Sequence, residues 1–122
     1  MTNNNTAIVL IDPYNDFLHQ EGKLNPLIRD SLQRTDTIHN LHKLLGFARS
    51  QNIPVFYSLH QQSHDHCMQG WTMMNASLTG IKMKKVFEEG SWGVEFYDGM
   101  APDVANGDIV VSKHWNSRCG QS

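Results

Sequence analysis

The sequence predicts an α/β domain built on a parallel sheet, and three observations carry that prediction. The apolar block Ala7-Ile8-Val9-Leu10-Ile11 is followed at once by Asp12. A second block, Ile53 to Leu59, lies beyond a stretch of helical apolar spacing, and a third, Ile109 to Ser112, is followed by Lys113. Short continuous runs of β-branched and aromatic residues mark strands buried on both faces, and parallel pairing needs the intervening crossover. Strand, helix, strand, long connection, strand is the order such a sheet requires.

Each element follows in turn. Residues 1–5 end in the polar run Asn3-Asn4-Asn5 and form a tail, and the first strand runs from Ala7 to Ile11. The stretch Asp12 to Pro26, "DPYNDFLHQEGKLNP", reads as a loop punctuated by Pro13, Gly22 and Pro26. A single helix is predicted to start at Asp30 or Ser31, either of which accepts backbone N–H bonds as an N-cap. Ile38, Leu41, Leu45 and Ala48, joined by Leu44 and Phe47, give that helix one apolar face. Asn52 stops it, because Pro54 disfavours helical geometry in the residue before it. The second strand is Ile53 to Leu59. Between His60 and Gly107 the periodic signal fades, apart from a short amphipathic piece at Leu78 to Lys85, before the third strand at Ile109 to Ser112.

Composition narrows the function classes. At 122 residues the chain holds one domain, and a formal net charge of -2 gives no field to draw nucleic acid or anionic lipid. Lys82, Lys84 and Lys85 are followed closely by Glu88 and Glu89, so that cluster reads as a solvated face. No apolar run approaches the roughly 20 residues of a membrane span, and the N-terminus lacks the charged and apolar regions of a secretory signal. The two cysteines, Cys67 and Cys119, form no C-x-x-C pair and read as free thiols in a reducing, cytoplasmic setting. "DPYNDF" after the first strand has no glycine-rich phosphate cradle, so no nucleotide cofactor is expected, and no other cofactor is implied.

Two charged residues share an address. Ligands of open parallel sheets bind beyond the carboxyl ends of the strands, and Asp12 and Lys113 both stand just past such an end. A catalytic pair and a salt bridge that ties two loops are equally good readings of that placement. His60, His64 and His66, with Asp65, make a histidine-rich loop that reads as solvated or pocket-lining rather than as a metal site. His19, His39 and His42 read as structural or surface residues. Among the aromatics Tyr14, Phe17, Trp71, Trp92 and Trp115, Phe17 reads as packing and Trp92 as pocket wall, while Asp16 reads as a loop-bonding Asx residue.

The motifs "IVLIDPYNDF", "IPVFYSLHQ", "EEGSWGVEF" and "GDIVVSKHWNS", in this order, resemble the isochorismatase-like cysteine hydrolase superfamily from Thr6 to about Ser117. The resemblance implies a three-layer Rossmann-like parallel sheet, of which this sequence supplies three strands of a usual six. The first strand is central, with the second and third on one side and a fourth on the other. It also implies hydrolysis of a C–N or ether-like bond in a small-molecule substrate. Asp12 then matches the general base, Lys113 the residue that supports it electrostatically, and a cysteine at a later helix N-terminus attacks the carbonyl or imidate carbon. Phe17, His60, Trp92 and His114 fall where substrate is bound.

The segment that carries the family's cysteine is expected beyond Ser117, where this sequence reads Arg118-Cys119-Gly120-Gln121-Ser122. Residues 6–117 are therefore read as the N-terminal part of the domain and 118–122 as a divergent tail, with Cys119 and Cys67 as plain thiols. Nicotinamidase-like relatives hold a metal through an Asp-x-His pair, a pattern that the adjacent Asp65-His66 does not reproduce. The alternative function is a catalytically inactive fragment or pseudoenzyme that binds a small ligand or a full-length relative. Without its fourth-strand neighbour the first strand would expose an apolar edge, which implies a homo-oligomer formed through that edge.

Overall fold

The computed structural model describes residues 5–64 and 68–113, and of Lys113 the backbone alone. Asp65, His66, Cys67, His114, Trp115 and Cys119 lie outside the described residues.

Three strands form one sheet, β1 (Ile8–Ile11), β2 (Val55–His60) and β3 (Ile109–Lys113), in the spatial order β1-β2-β3. Both pairings are parallel: Ile8 stands opposite Val55, Ile11 opposite Ser58, Phe56 opposite Ile109 and His60 opposite Lys113. The α/β class and the one-sided sequence of the three strands agree with the sequence reading.

The crossover from β1 to β2 holds more helix than the sequence predicts. The stretch read as a loop contains α1 (Asn15–Leu18) and the start of α2 (Asn25–Arg34), and α3 (Thr37–Ser50) follows. Pro26 opens α2 instead of punctuating a loop, since the missing N–H of a proline costs nothing in a first helical turn. Asp30 and Ser31 thus lie inside a helix and cap nothing. The expected single helix is broken at Asp36, whose φ of 48° is left-handed and turns the chain between α2 and α3. At the far end Asn52 does stop the helix. It takes a left-handed φ of 53°, and Ile53 N–H donates to the Ala48 carbonyl at 2.8 Å while Asn52 N–H donates to that of Arg49 at 3.3 Å. That pair of bonds is the Schellman closure of a helix.

The second crossover carries α4 (Ala76–Lys84), capped by the Asn75 side chain, which accepts the Leu78 N–H at 2.8 Å. Short 3-10 turns at Trp92–Val94 and Val104–Asn106 lead to β3. Because the strand order advances in one direction and parallel crossovers are right-handed, both crossovers bring their helices to the same face. There Leu10, Val55, Tyr57 and Leu59 join Leu45 and Ala48 of α3 and the buried Tyr14, Phe87 and Met100 in one core. On the opposite face β1 is bare among the described residues: Val9 is 57% exposed and Ile11 64% exposed. Of the three layers implied by the resemblance, the described residues build two.

Candidate active site at the carboxyl rim

Asp12 leaves β1 in a left-handed conformation, φ 49°. Aspartate tolerates this geometry better than most side chains, and non-glycine residues in it cluster at functional sites. The turn is held by main-chain bonds, from Asp12 N–H to the Ser58 carbonyl at 3.3 Å and from Tyr14 N–H to the Asp12 carbonyl at 2.7 Å. It swings the carboxylate across the end of β2, where Oδ1 accepts the backbone N–H of His60 at 2.6 Å. His60 in turn pairs in register with Lys113. The carboxyl ends of the three strands therefore bring Asp12, His60 and the Lys113 backbone into one row.

Beside Asp12 lies a cavity of about 400 Å³. Phe17, Leu24, Leu27 and Phe87 supply apolar wall, His60 contributes its ring, and α4 closes the remaining side with Ala76, Ser77, Gly80, Ile81 and Lys84. A pocket of this size with a few polar groups in an apolar wall suits a small molecule.

The ring of His60 is 6% exposed and lies over Phe87, with ring centroids 4.9 Å apart. Its Nδ1 is 2.8 Å from the Gln61 carbonyl, which can only accept, so Nδ1 carries the proton. Its Nε2 is buried with no hydrogen-bond partner among the described residues. The His60 carbonyl accepts the Tyr14 hydroxyl at 3.2 Å. Burial, and after it the negative charge of Asp12, push that hydroxyl's pKa up to about 12, so it remains a donor at any physiological pH.

Phe17 lines the cavity and packs on Phe87 with centroids 5.3 Å apart. Trp92 is not brought to Asp12. It stands 43% exposed, edge-on to His19 at 4.7 Å, and is not part of the cavity wall. His64 lines a separate recess with Tyr14 and His60, and His66 and His114 lie outside the described residues. Among the described residues no group of three or more His, Cys, Asp or Glu is placed to hold a metal ion.

Asp16 belongs to the frame of the site. It is 2% exposed, and its carboxylate accepts the N–H of Lys23 at 3.2 Å and that of Phe87 at 3.0 Å, tying two loops to α1. The residues that sequence reasoning missed are Phe87 and the α4 wall. Phe87 sits at φ 57°, an outlier for a bulky residue, and its only sequence signal is the apolar pair Val86-Phe87 set between charges.

An acid delivered by the first strand of a parallel sheet to the carboxyl rim, beside a small apolar cavity, defines an α/β domain with a candidate site on its rim. The family model for the Isochorismatase domain matches residues 6–122, and the chain belongs to that hydrolase-like family. No curated protein matches the chain.

Proposed function

We propose that this domain serves hydrolysis of a C–N or ether-like bond in a small metabolite, with Asp12 as general base and Lys113 as its electrostatic support. The observation that carries the reading is the fixed Asp12 carboxylate at the cavity wall, held by the His60 N–H. For the C–N bond of an amide, the carboxylate takes the proton of a cysteine thiol and the thiolate adds to the carbonyl carbon. The leaving nitrogen then departs with the proton from Asp12, and water, giving a proton to Asp12, attacks the resulting acyl-cysteine, whose sulfur leaves and takes that proton back as the thiol. A lysine ammonium nearby favours the thiolate. Phe17 and His60 contribute to the substrate wall, and His114 is assigned there by its place after Lys113. The test is a panel of small amides and esters offered to the purified chain, with Asp12→Asn, Cys119→Ser and Cys67→Ser variants alongside. Turnover lost in Asp12→Asn and in one cysteine variant supports the reading, and turnover indifferent to all three overturns it.

A second reading, binding without turnover, is supported by the cavity itself, whose size and largely apolar wall suit a small ligand with no reacting group required. Ligand binding by a chain inert toward every amide and ester would favour it. Self-association through β1 is part of either reading, supported by the exposed Val9 and Ile11, and sedimentation of wild type against Ile11→Lys tests it. No helix among the described residues is long and apolar enough to cross a membrane, and we place the reaction in the cytoplasm.

A further inference from the structure

The cavity beside Asp12 has a polarity that the proposed reaction does not use. Lys84, the last residue of α4, lines it and is exposed, which puts an ammonium at its mouth. Among the described residues the one ion pair is His19 with Glu21, so Lys84 has no acidic partner. Farther in, the wall carries the Asp12 carboxylate, an acceptor for an N–H or O–H, beside the apolar Phe17, Leu24 and Phe87. Gly80, one turn before Lys84 on the same wall, leaves open space, since a Cβ there would meet nothing within 4 Å.

From this arrangement we propose that the site selects small molecules with one negative charge, held at the mouth by Lys84, and a neutral N–H- or O–H-bearing end turned inward toward Asp12. The inference rests on the hydrolase reading only for the identity of the inward end as the reacting one. The charge preference itself is a matter of binding. Lys82 shares the last turn of α4, where a cation offsets the negative end of the helix, but it does not line the cavity. It separates a role in the cavity from a role in the helix.

Three probes of one shape make the test: 4-carbamoylbenzoate, terephthalamide and 4-(aminomethyl)benzamide, which are anionic, neutral and cationic around the same ring and carboxamide. Their dissociation constants are measured by NMR titration against wild type, Lys84→Ala, Lys84→Glu and Lys82→Ala, with thermal melts to confirm that the exposed substitutions leave folding intact. The anion is expected to bind about fivefold more tightly than the neutral probe at low salt, the worth of one solvent-exposed ion pair. Lys84→Ala is expected to erase that preference, Lys84→Glu to reverse it in favour of the cation, and Lys82→Ala to leave it unchanged. Equal binding of the three probes, no binding of any, or a preference that survives Lys84→Glu overturns the inference. A charge preference that reverses in a chain without turnover would defeat the hydrolase reading alone. Asp12-dependent turnover without charge preference would defeat this inference alone.

Discussion

The carboxylate of Asp12 is fixed by the backbone of His60, 48 positions along the chain, through a 2.6 Å hydrogen bond that joins the end of β1 to the end of β2. The donor is main chain, so side-chain substitution at His60 cannot remove it. Asp12→Asn keeps an oxygen for that bond and tolerates the left-handed turn, yet cannot take up a proton. Hydrolysis is expected to fall by at least about a hundredfold, the usual worth of a positioned general base, with little change in melting temperature. Asp12→Ala should lose activity equally and stability as well, and thermal melts of the two variants side by side show the difference.

Asp16 and Gly93 form a second coupled pair. A Cβ on Gly93 would run into the Asp16 carboxylate, which itself holds the amides of Lys23 and Phe87. Asp16→Ala leaves those donors without their acceptor and is expected to cost about 2–4 kcal/mol in urea unfolding. Gly93→Ala should also destabilise. The double variant should be more stable than the sum of the two losses, because removing the carboxylate removes the collision.

The Tyr14 hydroxyl gives a signal at high pH. Its folded value of about 12 stands above the ordinary 10.0. The stabilisation linked to it is therefore fully present below pH 10 and is lost as pH rises through the folded value. Absorbance titration at the tyrosinate band is expected to show late titration from Tyr14 and from Tyr57, which burial also raises, and Tyr14→Phe is expected to remove the Tyr14 share of that amplitude.

Asp108 works in the opposite direction. Burial alone would raise its carboxyl, but hydrogen bonds from the Asn106 side chain and from the amides of Asp103 and Val55 outweigh that and hold it below the ordinary 3.8. Stability linked to it is present above that value and is lost as pH falls through the folded one. Asp108→Asn should flatten the acid limb of a melting-temperature profile between pH 5 and pH 2 relative to wild type.

The strands were legible because β-branched residues crowd into short runs that no helix would favour. The helical crossover was half legible. Leu32 and Ile38 stand six apart, off the three-four helical spacing, and Asp36 is a capping type that tolerates left-handed backbone, so the break carried a signal that the strong apolar face from Ile38 to Ala48 overshadowed. Asp12 and the backbone position of Lys113 followed from strand ends alone. The wall that gives Asp12 a cavity did not, because Phe87 and α4 arrive through tertiary contact from a segment with no period, and Phe87 occupies a left-handed position where sequence reasoning looks for glycine. Trp92 shows the reverse: glycine-flanked and aromatic, it looked like a pocket residue and packs beside His19 instead.

The one-way march from β1 to β2 to β3 has a topological consequence. With right-handed connections, a strand of the same polypeptide joined in parallel to the open side of β1 would have to route its connection over the bare face of Val9 and Ile11. The winding of the sheet would then reverse at β1, and Asp12 would stand where the two sets of connections diverge, the point at which doubly wound sheets open a natural crevice.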